Sequence, residues 1–149
     1  MDTSLLVQFK DLGVAASLAF AAMGSALGSG AAGMAAVGSW KKCFAQNKNA
    51  PFILTVFVGA PLSQTIYGMI VMNALLELAS KGQFMWAAGI LGGMAMGLSA
   101  WMQGKAGAAA SDAMAETGKG FGNYLMVLGI IETVALFVMV FILMAAGKM

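Results

Sequence analysis

Apolar positions run along this chain in four long blocks, broken by short clusters of Lys, Asn, Gly, Pro and Gln. This punctuation predicts helices over Asp11 to Trp40, Pro51 to Ser80, Phe84 to Ala110 and Phe121 to Ala146, the third either stopping at Ala110 or running on toward Glu116. Each block is about 20 residues or more, enough to cross a hydrocarbon core of roughly 30 Å. The connections are short. The expectation is an all-α membrane protein with four transmembrane helices and almost nothing outside the bilayer.

Composition points the same way. Of 149 residues, 60 % are hydrophobic and only 9 % charged, with a mean hydropathy of +0.86, whereas soluble domains devote about a quarter of their residues to charge. The net charge of +2 comes from lysines too scattered to follow a phosphate backbone, which argues against a nucleic-acid partner. The single cysteine, Cys43, falls in the polar stretch Lys41 to Ala50, where it reads as a reduced bystander thiol with no internal partner. Met1 to Lys10 has no basic segment before the first apolar run, and that run continues too far for a cleavable signal, so it reads as part of the mature protein. Lys41, Lys42 and Lys48 sit in the first connection, Lys119 near the third and Lys105 a turn or two before it, while Lys10, Lys81 and Lys148 mark the opposite side. The positive-inside rule then puts the first and third connections in the cytoplasm and both termini outside.

The two halves resemble one another. Met23 and Gly24 followed by Gly30 and Gly33 correspond to Met96 and Gly97 followed by Gly104 and Gly107, and Gln64 and Thr65 correspond to Glu132 and Thr133. A duplicated helical hairpin, residues 1–80 and 81–149, is the expected origin. Small residues recur at every fourth position in the first helix (Gly24, Gly28, Ala32, Ala36) and the third (Gly89, Gly93, Gly97). In lipid such residues let backbones approach and recover dispersion contacts, so these helices should pack on one another or on copies of themselves. Helices two and four carry bulky residues, as in Phe52 to Phe57 and Phe137 to Met144, the composition of a lipid-facing layer. A thin tetraspan layered in this way suits a closed homo-oligomeric ring better than an ordinary four-helix bundle.

Glu132 stands eleven residues into the fourth helix, about 17 Å along it and near the bilayer midplane. A charged carboxylate there costs about 2.5 kcal/mol or more and needs a partner, a proton or an ion. Glu77, in contrast, pairs with Lys81 at a helix end. In helix two, Ala60, Ser63, Gln64 and Tyr67 fall within an arc of about 100° on one face. Pro61 disturbs the preceding turn and leaves carbonyls between Phe57 and Ala60 free to accept other partners. Gln103 offers a further amide at the depth of Glu132 if helix three runs to Glu116, and about 10 Å shallower if it stops at Ala110. One carboxylate among neutral oxygens suits a hard monovalent cation, whose bound site is electrically neutral. A proton needs only the carboxylate and one acceptor, so the additional oxygens favour Na⁺ over H⁺.

With these residues in place, the chain resembles the membrane rotor subunit, called subunit K or the duplicated proteolipid c subunit, of bacterial vacuolar-type rotary ATPases. The resemblance runs along the whole chain and rests on the fused hairpins, the Gly-rich first and third helices, the segment Met102 to Ala106 (Met, Gln, Gly, Lys, Ala) and Glu132 between Ile131 and Thr133. Gln64 stands where an unduplicated subunit would carry the acid, so the resemblance implies one ion per chain. It also implies a Na⁺ site made of the Ala60 backbone carbonyl ahead of Pro61, Ser63, Gln64, Gln103 and Glu132, with Tyr67 steadying the carboxylate. Ser63 departs from the Thr familiar at that position but keeps the hydroxyl. The implied partners are identical copies in a ring, a stator membrane subunit of a/I type with an essential Arg, a central-stalk subunit on the cytoplasmic face, and lipid, in a bacterial inner membrane. None of the Gly-rich runs is followed by the Lys and Ser or Thr of a phosphate loop, so ATP belongs to other subunits. Three further readings remain at this level: the same ring coupled to H⁺, a small four-helix proton-coupled exporter, and a structural packing protein with no transport, in which Glu132 would be replaceable by Gln without loss. The exporter would carry its acid early in the first helix, which here has none after Asp11.

Overall fold

The computed structural model describes residues 10–148, and every regular element among them is helical. The expectation that Met1 to Lys10 belongs to the mature chain falls on residues outside this range, Lys10 excepted. Helix α1 spans Lys10–Ala45, α2 Leu54–Gly59, α3 Ser63–Ser80, α4 Trp86–Thr117 and α5 Phe121–Ala146. A 3-10 turn over Ala60–Leu62 joins α2 to α3, so the two act as one interrupted span. The interruption sits at Pro61, which lacks the N–H that would bond the Phe57 carbonyl and is itself buried.

One helix end differs from expectation and another settles between two alternatives, each for a local reason. Helix α1 carries Lys41, Lys42 and Cys43 beyond Trp40 and stops where Asn47 adopts a left-handed φ of 51°. That geometry lets the Lys48 N–H donate to the Cys43 carbonyl at 2.9 Å and satisfies an end-of-helix acceptor. Cys43 is therefore not part of a polar connection: it is 2 % exposed, its Sγ 3.9 Å from the Ala115 carbonyl oxygen of α4. Helix α4 takes the longer of its two alternatives and ends at Gly118, whose φ of 65° lets its N–H donate to the Met114 carbonyl at 2.8 Å. Lys105 consequently lies twelve residues before the end of α4, about 18 Å along the axis, rather than a turn or two. It is exposed, with Nζ 4.4 Å from the Trp101 ring centroid.

The helices form two layers. Helices α1 and α4 run parallel with their backbones in contact: a Cβ on Gly24 would overlap the backbone of Gly97, one on Gly104 that of Gly28, and one on Gly89 that of Gly13. The small residues thus serve packing of the two helices on each other. Helix α3 runs antiparallel to α1, with Gly68 against Ala21 and Ser17. Helix α5 runs antiparallel to α4, with Ile142 against Gly92. Two apolar clusters close the space between layers, one around Val71, Leu75, Met96 and Ala135, the other around Leu54, Phe57, Ala110 and Leu128.

Three spans, Leu12–Ala45, Leu54–Ser80 and Phe121–Ala146, are long and apolar enough to cross a membrane. Helix α4 is not among them, because glycine, serine, Gln103 and Lys105 dilute its apolar content. It nevertheless runs beside α1 from Gly13 to Lys42, the latter bound to Asp112 at 2.6 Å and Glu116 at 3.5 Å. In the bulky stretch Phe137 to Met144, Phe137, Val140, Phe141 and Met144 are exposed, as expected of a lipid-facing surface, while Val138, Met139 and Ile142 pack against the first apolar cluster; α5 buries only Leu128 and Ala135. Phe52 to Phe57 departs from that expectation. Leu54 and Phe57 are fully buried, one helical turn apart on the face toward the core, and the Phe57 ring lies 5.6 Å from Phe121 and 6.3 Å from Tyr124.

The backbone contact yields a contrast. Gly24→Ala is expected to lower the melting temperature of the detergent-solubilised protein, at a cost of about 1–3 kcal/mol for overpacking. Gly122→Ala, where a Cβ meets nothing within 4 Å, should leave it unchanged or slightly higher.

Candidate functional site

Between the two apolar clusters, polar side chains from α3, α4 and α5 meet around Glu132. The carboxylate is half-buried. Its Oε1 accepts a hydrogen bond from the Tyr67 hydroxyl at 2.6 Å and its Oε2 one from Gln103 Nε2 at 3.2 Å. The same Gln103 nitrogen donates to the Leu128 carbonyl at 3.0 Å, one turn before Glu132 on α5. Gln103 Oε1 in turn accepts from Gln64 Nε2 at 2.9 Å, and Gln64 Oε1 from the Ser63 hydroxyl at 3.2 Å. Ser63 Oγ also lies 3.1 Å from the Ala60 carbonyl oxygen beside Pro61.

Every residue singled out in the sequence, Ala60, Pro61, Ser63, Gln64, Tyr67, Gln103 and Glu132, thus falls in one connected region. Gln64 and Gln103 have no exposed surface, so each amide depends on protein partners for its bonds. Longer reach along α4 is what brings Gln103 level with Glu132. The 3-10 turn sets Ala60, Ser63 and Gln64 side by side at the start of α3. Glu77 stays apart, paired with Lys81 at 2.7 Å on an exposed helix end, as its spacing suggested.

Sequence reasoning missed Ser99. Its hydroxyl donates to the Ile131 carbonyl at 2.9 Å, next to Glu132, and the residue is 6 % exposed. The signal for it was its position one helical turn before Gln103 on the same face. The contact of Lys42 with Asp112 and Glu116 was likewise unforeseen. It joins α1 to α4 at an exposed end, where ion pairs contribute little.

Chemically, the arrangement holds one carboxylate by two donors, one of which leads through Gln64 to the oxygens of Ser63 and Ala60. One face of α5 stays open. A carboxylate so placed can take a proton or a small cation.

Residues 86–145 match the family model for the C subunit of ATP synthase. The matched segment is the second hairpin, which contains Ser99, Gln103 and Glu132. No curated protein matches the chain. Over that segment the chain is similar to the C subunit of ATP synthase. Together with the apolar spans, this similarity supports a multi-pass membrane protein.

Removing the tyrosine donor should free the Glu132 carboxylate. In Tyr67→Phe, labelling of Glu132 by a hydrophobic carbodiimide, which reacts with protonated carboxyls, is expected to accelerate about tenfold at fixed pH, the loss of one bond to a charged group. Intact-mass measurement of modified protein over time checks it.

Proposed function

We propose that this chain is the ion-carrying rotor-ring subunit of a bacterial V-type rotary ATPase or ATP synthase, moving Na⁺ across the cell membrane on Glu132. The observation that supports the reading is the hydrogen-bonded chain that links one carboxylate through Gln103 and Gln64 to Ser63 and the Ala60 carbonyl, which gathers the oxygen-bearing groups in one region. Na⁺ bound to ionised Glu132 forms a neutral unit that can face lipid without the cost of a buried charge. Hard oxygen donors and the absence of a second carboxylate in this network favour a monovalent over a divalent cation.

In this reading each copy loads an ion from one half-channel of a stator subunit and carries it round on the lipid-facing side. It releases the ion when the stator Arg approaches Glu132. Tyr67 and Gln103 hold the carboxylate inward between these events. Moving one charge through 100 mV is worth about 2.3 kcal/mol, so several copies must pass the stator for each nucleotide turned over on other subunits. The parallel contact of α1 with α4, with Gly24 opposite Gly97, is what a duplicated hairpin would produce. Gln64 on the first hairpin supplies an amide where Glu132 on the second supplies the charge, leaving one ion per chain. The end bearing Lys41, Lys42, Lys48 and Lys119 faces the cytoplasm and the central stalk, with the termini on the other side.

Carbodiimide labelling across pH, with and without NaCl, tests the reading. Modification confined to Glu132 and suppressed by NaCl is expected; labelling that follows pH and ignores NaCl would make the coupling ion H⁺. Glu132→Gln should abolish coupled transport while the protein still assembles, and Na⁺-dependent ATPase activity at the wild-type level in that variant would overturn the assignment. Gln103→Ala should weaken Na⁺ protection much more than it alters the pH profile.

A further inference from the structure

Glu132 lies on the helix least anchored in the molecule. Apart from Leu128 and Ala135, no residue of α5 is buried, and the orientation of the carboxylate therefore depends on a few polar bonds. Two of these, from Tyr67 and Gln103, end on the carboxylate itself and have to loosen whenever the group exchanges its cargo. Two others end on backbone carbonyls of α5 and need not break: Gln103 to Leu128 at 3.0 Å and Ser99 to Ile131 at 2.9 Å. Of the two donors, Gln103 also serves the carboxylate, whereas the Ser99 hydroxyl has the Ile131 carbonyl as its acceptor.

We infer that Ser99 is a positioning residue for the ion site, holding the register of α5 against α4 while Glu132 exchanges its ion. The inference rests on the rotor reading above and assigns Ser99 no contact with the ion. The first half of the chain sharpens it. Ser25 stands five residues before Gly30 as Ser99 stands five before Gly104, and it is equally shut in at 1 % exposure. Its hydroxyl nevertheless has no hydrogen-bond partner. The donor is engaged only beside the carboxylate, where helix register has a chemical consequence. Ser99 also differs from Ser111 on the same helix, whose buried hydroxyl bonds the Gly107 carbonyl of its own helix at 2.9 Å and ties α4 to nothing else.

Carbodiimide labelling of Glu132 during a NaCl titration of the purified, assembled protein tests this. Ser99→Ala is expected to raise the NaCl concentration for half-protection by about 3- to 10-fold, the worth of one hydrogen bond. Ser99→Thr, which keeps the hydroxyl, should restore the wild-type midpoint, and Ser111→Ala should not shift it. A wild-type midpoint in Ser99→Ala, or equal shifts in Ser99→Ala and Ser111→Ala, would overturn the inference. Should Ser99→Ala fail to assemble, Ser99→Cys, a weak donor of similar size, is read in its place. If wild-type labelling ignores NaCl, the Na⁺ reading fails by itself. The comparison then moves to labelling rate across pH, where identical profiles for wild type and Ser99→Ala would overturn the role of Ser99.

Discussion

A carboxylate eleven residues into a membrane-spanning helix imposes a demand that the surrounding lipid does not meet, and the molecule answers it with donors from two other helices. Tyr67 comes from α3 and Gln103 from α4, so Glu132 is satisfied only where three helices converge. Convergence requires α4 to lie deep between its neighbours. That is possible because its inner face is almost free of side chains, and its backbone rests directly on that of α1. Pro61 adds a local adjustment: the 3-10 turn alters the pitch just ahead of Ser63 and Gln64 and brings their oxygens beside Gln103. The polar centre and the small-residue layer are thus one design, with apolar clusters sealing it above and below.

Mobility is distributed unequally. The α1–α4 pair is locked by backbone contact along much of its length. Helix α5 is held by two buried residues, Leu128 and Ala135, and a few hydrogen bonds, with most of its bulky side chains outward. The carboxylate thus sits on the loosely held element, and two of the donors that restrain that element sit on the rigid one. Gln103 and Ser99 both project from α4.

Much of this was legible in the sequence because lipid constrains it so strongly. Block lengths gave four helices, glycine spacing gave the α1 and α4 contact faces, and the polar run after Pro61 could be placed on one side of a helix by angle alone. The failures have physical causes. The end of α4 stayed open between Ala110 and Glu116 because no residue there compels a stop; the left-handed residue that stops it is Gly118, and that later stop brings Gln103 level with Glu132. In Phe52 to Phe57 every position except Thr55 is apolar, so hydropathy could not say that Leu54 and Phe57 point inward while Phe52 is 80 % exposed. Ser99 was hidden among glycines and alanines, where a serine reads as merely small. Cys43 was assigned to a polar connection because two lysines precede it, although one helix face can carry lysines while another meets α4.

The contact between Gly24 and Gly97 also limits how this sequence can change over generations. When a larger side chain meets another side chain, a second substitution can restore the fit. Here the obstacle on each side is main chain, which no substitution shortens. Accommodating a methyl group would mean parting the two helices, and α4 would carry Gln103 with it. A change in the packing layer therefore also moves a side chain that holds Glu132, so the two cannot vary independently.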